Sequence, residues 1–540
     1  MHIIMIAAEN AALTGGKAGG IGDVIRDVPL ALARQGHQVS VLTPGYQQLT
    51  HLNPASRIGG IRTVFAGKPE VLELFRVQPA HNDNALVNHY VLDHPLFASC
   101  GPGQIYCHDT HAPFATDAHK FALFCTGAAQ WLISDLLHQP DVIHLHDWHA
   151  ALLAVLRRFH PRYSALKSIR TVYSIHNLSL QGIRPLRAEQ SSLEGWHPEL
   201  MRDDLWRREP GLQSIVDPRY DGCINLMRCG LLLSDYTHAV SPTYAQEIQR
   251  PSEPERGFTG GEGLERDLQT LAQQQRLIGI LNGCEYPAVH NPAPGLAKAD
   301  ERRRLLQSIR DTLNVWATKQ WSSGQGQIQA SLFYALQRVD EWQKRRKPAA
   351  VSLLSIGRLT DQKLSLLRQP LPHTSGDVAV LDRILNDLGD GLYILVGTGD
   401  PALERFFTQA MQKHQNFLFL QGFSEPLADA LYGAADLFLM PSSYEPCGIS
   451  QMLAMRAGTP CIVHQVGGLR DTVRDGYNGF GFAGNSVPEQ CEQLIDCVAQ
   501  ACSIVRGNGE DWAMIRQQAA ATRFLWDGVI QDYIRKLYAS

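Results

Sequence analysis

Short apolar runs recur along nearly the whole chain, each followed by a longer stretch whose apolar positions have helical spacing. In the first half these runs are His2–Ala7, Gln38–Leu42, Asp141–Leu145, Thr171–Ile175, Thr237–Val240 and Leu277–Leu281. In the second half they are Val351–Ile356, Leu392–Val396, Phe417–Leu420, Leu437–Met440 and Cys461–Val463. Runs of this kind read as buried strands, and repeated strand–helix units imply parallel sheets covered by helices on both faces. Two such sets predict an α/β chain of two Rossmann-like, doubly wound domains with a cleft between them. The segment Ala299–Lys347 is charged, Gln-rich and helical in pattern, with a polar stretch around Gln320–Gln329. The domain junction is therefore placed near its start, with domains over 1–295 and 296–520 and a helical insertion at about 299–347. The tail Phe524–Tyr538 reads as an amphipathic helix with Trp526, Ile530, Tyr533 and Leu537 on one face.

Composition narrows the class without naming it. A chain of 540 residues exceeds one comfortable core, which agrees with two domains. A formal charge of -4 gives no electrostatic reason for a nucleic-acid or anionic-membrane partner. No apolar run is long enough to span a bilayer, and the first residues lack the basic start of a signal peptide. Eleven cysteines without a C-x-x-C pair read as reduced, mostly buried thiols in a cytoplasmic protein.

The candidate chemistry lies where predicted strands end. After Leu437–Met440, Pro441 to Ser443 break the run and put Tyr444 and Glu445 on a loop. Pro446, Gly448 and Ser450 can start a helix whose apolar face holds Met452, Leu453 and Met455, and Gly458 stops it. Gly467 and Gly468 then turn the backbone before a helix near Leu469. In open α/β sheets ligands sit beyond the carboxyl ends of strands, where helix N-termini point. A lone glutamate there is ordinary helix-dipole chemistry, worth under about 1 kcal/mol. Its company elsewhere changes that reading.

After the first strand, Thr14–Val24 is a glycine-dense turn that fits neither a Walker loop nor G-x-G-x-x-G. It lets backbone approach a ligand at Gly19 and Gly20, offers Lys17 as a point charge and puts Asp23 at a helix start. His144, His146 and His149 invite a metal, but two of them fall on a strand, and a polar strand end lining a cleft fits better. His176 and Asn177 end the next strand in the same way, and Asn225 and Arg228 stand one helical turn apart. Arg358 and Lys363, in a short loop past a strand, are either a solvated edge or a diphosphate clamp. Val396–Asp400 is another strand-to-glycine turn, with Gly397 placed to approach a ligand.

Taken in order, GGKAGGIGDV, HLHDWHA, YSIHNLSLQGI, AVSPTYAQEI, GILNG, GRLTDQK, VGTGD and SYEPCGISQMLAMRAGTP span Gly15 to Pro460. Together they resemble bacterial glycogen synthases and plant starch synthases, glycosyltransferase family 5, and the terminal FLWDGVIQDYIRKLY resembles that family's end. The resemblance implies a GT-B fold whose C-terminal domain binds the nucleotide sugar, with residues 521–540 packing back on the N-terminal domain. It also implies transfer of glucose from ADP-glucose to an α-1,4-glucan such as glycogen, with the anomeric configuration retained and no cofactor or metal. By the same likeness Lys17 lies near the sugar nucleotide with Asp23 as its partner acid, and His176 lies beside the anomeric centre. Arg358 and Lys363 match the diphosphate pair, Glu445 contacts the donor glucose, and Cys447 and Gly448 share its loop. Such chemistry needs cations and backbone N–H groups, near Gly20 and Gly468, to stabilise the departing diphosphate.

The chain departs from the family pattern in places. Leu364 and Leu366 stand where Gly and then Asp usually follow the loop lysine, and Arg228 replaces a usual Lys. Cys284-Glu285 replaces a hydrophobic residue and Asp, a Trp is missing near His290-Asn291-Pro292, and Gln369–Asp377 reads as an insertion. Two alternatives follow. One is another retaining GT-B transferase, although many of those carry a second Glu where this chain has Leu453. The other is a degenerate glucan-binding regulatory protein.

Overall fold

The computed structural model describes residues 1–79, 84–107, 109–202, 210–286, 299–322, 329–345, 347, 349–371 and 378–539. The expected departure at His290–Pro292, most of the Gln369–Asp377 insertion and the middle of Gln320–Gln329 lie outside these residues. The chain divides into two compact units. One comprises Met1–Ser252, Gly260–Glu285 and Leu525–Ser540, and the other Glu253–Thr259 and Tyr286–Phe524.

The strands of the first unit are β1 (His2–Ile6), β2 (Gln38–Pro44), β3 (Ala55–Phe65), β4 (Lys68–Val77), β5 (Val87–Asp93), β6 (Val142–His146) and β7 (Arg170–Ile175). They continue with β8 (Ile183–Pro185), β9 (Cys223–Asn225), β10 (Tyr236–Ala239) and β11 (Leu277–Gly279). Among the described residues one sheet runs β11-β10-β7-β6-β1-β2-β5-β4-β3, and β8 and β9 form a separate antiparallel pair. Strand β1 pairs in parallel with both β2 and β6, so Ile3 lies opposite Val39 on one side and Val142 on the other. On one side of β1 the chain winds outward through β6, β7, β10 and β11, and on the other it runs from β2 to the edge strand β3 and returns through β4 to β5, so the connections leave in opposite directions between β1 and β6.

The sequence led us to expect parallel pairing alone, yet beyond β5, which pairs in parallel with β2, the strands β4 and β3 extend this sheet by antiparallel pairing. The reason is visible in the pattern. β3 and β4 alternate buried and exposed positions, as strands with one wet face do, and so present no continuous apolar run. Their hairpin turns at Ala66 and Gly67, both with positive φ (52° and 71°), as a tight primed turn requires.

The second unit holds β12 (Ser352–Ile356), β13 (Leu392–Val396), β14 (Phe417–Leu420), β15 (Leu437–Met440), β16 (Cys461–His464) and β17 (Gly479–Phe482). Among the described residues they form a parallel sheet in the order β14-β13-β12-β15-β16-β17, which reverses between β12 and β15. β17 was not expected, because GFGF offers two side chains among glycines rather than an apolar run. The helices Ala299–Ser322 and Ala330–Gln343 occupy the segment expected to be helical. Their Ile309, Leu313, Val339 and Trp342 join the core of this unit.

The tail forms a helix over Trp526–Tyr533 that continues as a wider turn to Tyr538, two residues shorter at its start than the pattern suggested. Trp526, Ile530, Tyr533 and Leu537 pack into one cluster with Ile3, Met5, Val28 and Val41. Each large apolar side chain buried this way contributes roughly 1.5–3 kcal/mol. Gly283 makes room for the tail, since a Cβ there would lie 2.8 Å from the Trp526 ring. No helix among the described residues is long and apolar enough to cross a membrane.

The cysteines correct the sequence reading in one respect. Cys100 and Cys107 form a disulfide, while the other nine are free, most of them buried. Spacing gave no sign of this pair, because the residues between them form an irregular loop that brings the two sulfurs together.

Candidate active site

Each sheet reverses its strand order between two parallel neighbours, β1 and β6 in one and β12 and β15 in the other, and at such a point two adjacent loops leave in opposite directions and open a crevice. In the first unit these are the loops after β1 and β6. The loop after β1 carries Glu9 and the glycine turn. Glu9 is buried, and its Oε2 accepts from Ala18 N at 2.8 Å and Gly19 N at 2.5 Å, while the Tyr106 hydroxyl donates to Oε1 at 2.6 Å. Gly19 caps the helix Gly20–Arg34. Lys17 Nζ donates to Asp23 Oδ1 at 2.7 Å, and Arg26 stands 3.2 Å from the same oxygen. A Cβ on Gly16 would lie 2.4 Å from Asn10 O, whereas one on Gly20 would meet nothing within 4 Å. Gly16 is thus needed by the fold, and Gly20 leaves its backbone open to a ligand.

The loop after β6 begins at Asp147, whose φ of 54° and ψ of -178° lie in a region that favours glycine. Its Oδ1 accepts from His176 N at 2.7 Å and lies 3.5 Å from Asn177 N, so it sets the backbone from which both side chains project. Burial pushes this carboxyl up to about 8, against the pull of the two backbone N–H groups. The His176 and His146 rings meet through Nε2 and Nδ1 at 3.0 Å. Burial, and then His238, push His176 down to about 3. His149 packs 5.2 Å from the Tyr106 ring, which joins this loop to the glycine turn.

His144, weighed above as a metal ligand, is committed elsewhere. His238 Nε2 faces the Ile280 carbonyl at 3.1 Å and must donate to it, so its Nδ1 accepts from the Ser174 hydroxyl at 2.8 Å. Ser174 in turn accepts from His144 Nε2 at 2.7 Å, and His144 Nδ1 accepts from the Tyr538 hydroxyl at 2.8 Å. Each proton has one place, and both rings are neutral. Asn225 and Arg228 also differ from expectation. Asn225 precedes its helix and caps it, accepting from Arg228 N at 2.9 Å, so the two do not share a helical face. Its amide donates to Gln181 and Asp217, and Arg228 Nε donates to Asp267 at 2.7 Å.

In the second unit the crevice lies between the loops after β12 and β15. Lys363 stands in the first turn of the helix Asp361–Arg368 rather than in a loop, and its Nζ donates to Glu445 Oε2 at 2.6 Å. The Ser442 hydroxyl donates to the same oxygen at 3.1 Å. Gln362 ties the two loops further, accepting from Ser443 N at 2.8 Å and donating to the Tyr444 carbonyl at 3.1 Å. Arg358 is exposed, and its guanidinium makes no hydrogen bond or ion pair with the described residues. Leu364 and Leu366 point into the core, so the altered positions after the lysine serve this helix.

The helix after Glu445 starts at Ser450, the last of the three residues that could start it, because Gly448 still has a φ of 78°. Gly468 N donates to the Glu445 carbonyl at 2.9 Å, and a Cβ on Gly468 would lie 2.1 Å from Cys447 O. Gly467 and Gly468 begin their helix rather than precede it. Gly397 approaches Gly357 just as closely, leaving 2.0 Å between a Cβ and the Gly357 carbonyl.

Residues 2–270 match the family described as starch synthase catalytic domain, and residues 380–501 match glycosyl transferases group 1. The glycogen synthase of Anaeromyxobacter sp. is 33% identical over 552 residues, covering 100% of this chain and 99% of that protein. The glycogen synthase of Streptococcus equi subsp. equi is 32% identical over 560 residues, covering both completely. This chain belongs to the starch and glycogen synthase family. Its fold is that of the catalytic domain of starch synthase IV from Arabidopsis thaliana, bound to ADP and acarbose, with a TM-score of 0.74 at 24% identity over 99% of this chain and 98% of that one. It is therefore a GT-B fold of two parallel-sheet domains.

Within this family member the structure pairs Lys17 with Asp23, sets His176 and Asn177 on Asp147, and pairs Lys363 with Glu445. Lys17, Asp23, His176 and Asn177 flank the first crevice, and Lys363, Tyr444, Glu445, Cys447 and Gly468 flank the second. Asn225 and Arg228 serve the fold around them. Sequence reasoning passed over Glu9, Tyr106, Asp147 and Ser442. Asp147 lay inside a quoted motif, and Glu9 stands just past the first strand, so a search for acids at strand ends would have found both.

Proposed function

We propose that this chain is a cytoplasmic glycogen synthase that lengthens an α-1,4-glucan from ADP-glucose. The Lys363–Glu445 pair across the crevice of the second unit carries the reading. A fixed ammonium beside a carboxylate, with the exposed Arg358 nearby in sequence, suits a donor that presents a diphosphate and a glucose together. Arg358 and Lys363 hold the diphosphate, Glu445 holds glucose hydroxyls, and Gly397, Tyr444, Cys447, Gly448 and Gly468 shape the pocket. In the first unit Lys17, Gly19, Gly20 and Asp23 serve the sugar nucleotide, His176 and Asn177 serve the reacting sugar, and Asn225 and Arg228 support that wall.

In the reaction the bond from glucose C1 to the diphosphate oxygen breaks and its electron pair leaves on ADP. The terminal O4 of the glucan bonds to C1 on the same face, and its proton passes to the departing phosphate oxygen. The protein supplies position and positive charge; neutral His176 donates or accepts hydrogen bonds without adding a charge beside the cationic sugar. ADP release from ADP-glucose in the presence of glycogen is the test. Release with UDP-glucose alone would reassign the donor, and glycogen binding with no release from either would make the chain a glucan-binding protein.

A further inference from the structure

We propose that Cys100 and Cys107 form a reversible redox site whose state reaches the glycine turn through Tyr106 and Glu9. The inference rests on the reading of that turn as part of the donor site. The disulfide is asymmetric. Cys100 is exposed, whereas Cys107 is half-buried with its Sγ 3.8 Å from the ammonium of the fully buried Lys120. An attacking thiolate from a dithiol reductant reaches Cys100 Sγ. The S–S bond then breaks, and its electron pair leaves on Cys107 sulfur opposite that ammonium, a favourable leaving group. The second thiol of the reductant displaces Cys100 from the mixed disulfide. The dithiol ends as a cyclic disulfide, and its two protons balance the two protein thiols.

Lys120 connects this event to the turn. In the oxidised protein its Nζ donates to the Ile105 carbonyl at 2.7 Å and pairs with Asp117 at 2.7 Å. Asp117 in turn accepts from Cys107 N at 3.1 Å. These contacts bracket Tyr106, whose hydroxyl holds Glu9, and Glu9 holds the amides of Ala18 and Gly19. A Cys107 thiolate competes for Lys120 and draws it from the Ile105 carbonyl. Reduction also opens the ring closed between residues 100 and 107. A disulfide in a reducing compartment is typically redox-sensing rather than structural.

The test equilibrates the full-length protein with oxidised or reduced dithiothreitol. Alkylation read by mass spectrometry reports the thiols, and hydrogen exchange reports the peptide over 14–24. Reduced wild type and Cys100→Ser should both exchange faster at Ala18 and Gly19 than oxidised wild type, by roughly two- to tenfold, the ratio one ordinary hydrogen bond is worth. Tyr106→Phe should exchange alike in both redox states. A pair that resists excess dithiothreitol, or loop exchange unmoved by reduction, would overturn the proposal. The KM for ADP-glucose is a separate readout. If exchange responds while KM does not, the redox site stands and the donor role of the turn fails.

Discussion

Lys363 Nζ lies 2.6 Å from Glu445 Oε2, joining the segment after β12 to the loop after β15 where the sheet order reverses. Lys363 keeps some exposure while Glu445 is nearly enclosed, so the pair is shielded but open on the lysine side. A lysine placed this way orients the carboxylate and presents its remaining donors to an incoming anion. Lys363→Ala should lower turnover by on the order of a hundredfold or more, as the loss of a charged transition-state contact does. Stability should fall by only about 1–2 kcal/mol, because Glu445 retains the Ser442 hydroxyl. Steady-state ADP release beside a urea melt separates the two effects, and near-wild-type turnover would remove Lys363 from the diphosphate site.

Buried neutral histidines predict how the protein responds to acid. Burial holds His89 and His238 down to about 4 and His149 and His176 down to about 3. Above their ordinary value of 6.5 both folded and unfolded forms are neutral, and stability does not depend on them. As pH falls below 6.5 the unfolded chain gains protons that the folded chain refuses, so stability is lost toward pH 4. Melting temperature should be flat from pH 8 to 7 through these groups and fall steeply from pH 6 to 4. His238→Gln should be less stable than wild type at pH 7.5 but lose less on acidification.

Asp147 has the opposite sign. Its folded value near 8 exceeds the unfolded carboxylate value, so the folded state holds a proton that the unfolded chain releases as pH rises from about 4 to 8. Wild type should therefore lose stability through this group over that range. An asparagine can accept from His176 N through its own Oδ1 and carries no charge to bury. Asp147→Asn should gain on wild type steadily between pH 4 and 8, measured by paired urea melts. A constant gap between the two proteins would show that the carboxyl is already ionised in the fold.

How much of this could be read beforehand depended on the kind of signal. The strands flanking both crevices, β1, β6, β7, β12 and β15, are buried on both faces and stand out as apolar runs. β3 and β4 alternate with solvent, and β17 is half glycine, so neither gives such a run. Local spacing identified Glu445 and Lys363 as candidates, but their 2.6 Å contact joins residues 82 positions apart and follows from β12 pairing with β15. Asn225 was legible as polar but not as a cap, because its partners Gln181 and Asp217 come from other loops. The Cys100–Cys107 pair depends on a loop path that no periodicity encodes.

Two glycines separate the needs of the fold from those of the ligand. A Cβ on Gly468 would lie 2.1 Å from Cys447 O, a backbone atom that cannot turn aside as a side chain does. Gly468→Ala should therefore push the Glu445 loop and the following helix apart, with a loss of about 2–4 kcal/mol that places it among severe substitutions. Gly20 has no neighbour within 4 Å of its would-be Cβ and no positive φ. As the first residue of a helix it should accept alanine with stability unchanged or raised by about 0.4–1 kcal/mol through the unfolded state. If the amides there receive the sugar nucleotide, the added methyl occupies the approach, and the KM for ADP-glucose should rise while the melt does not move. A Gly20→Ala protein with wild-type KM would leave the open space beside this helix start without a donor role, whatever happens at Gly468.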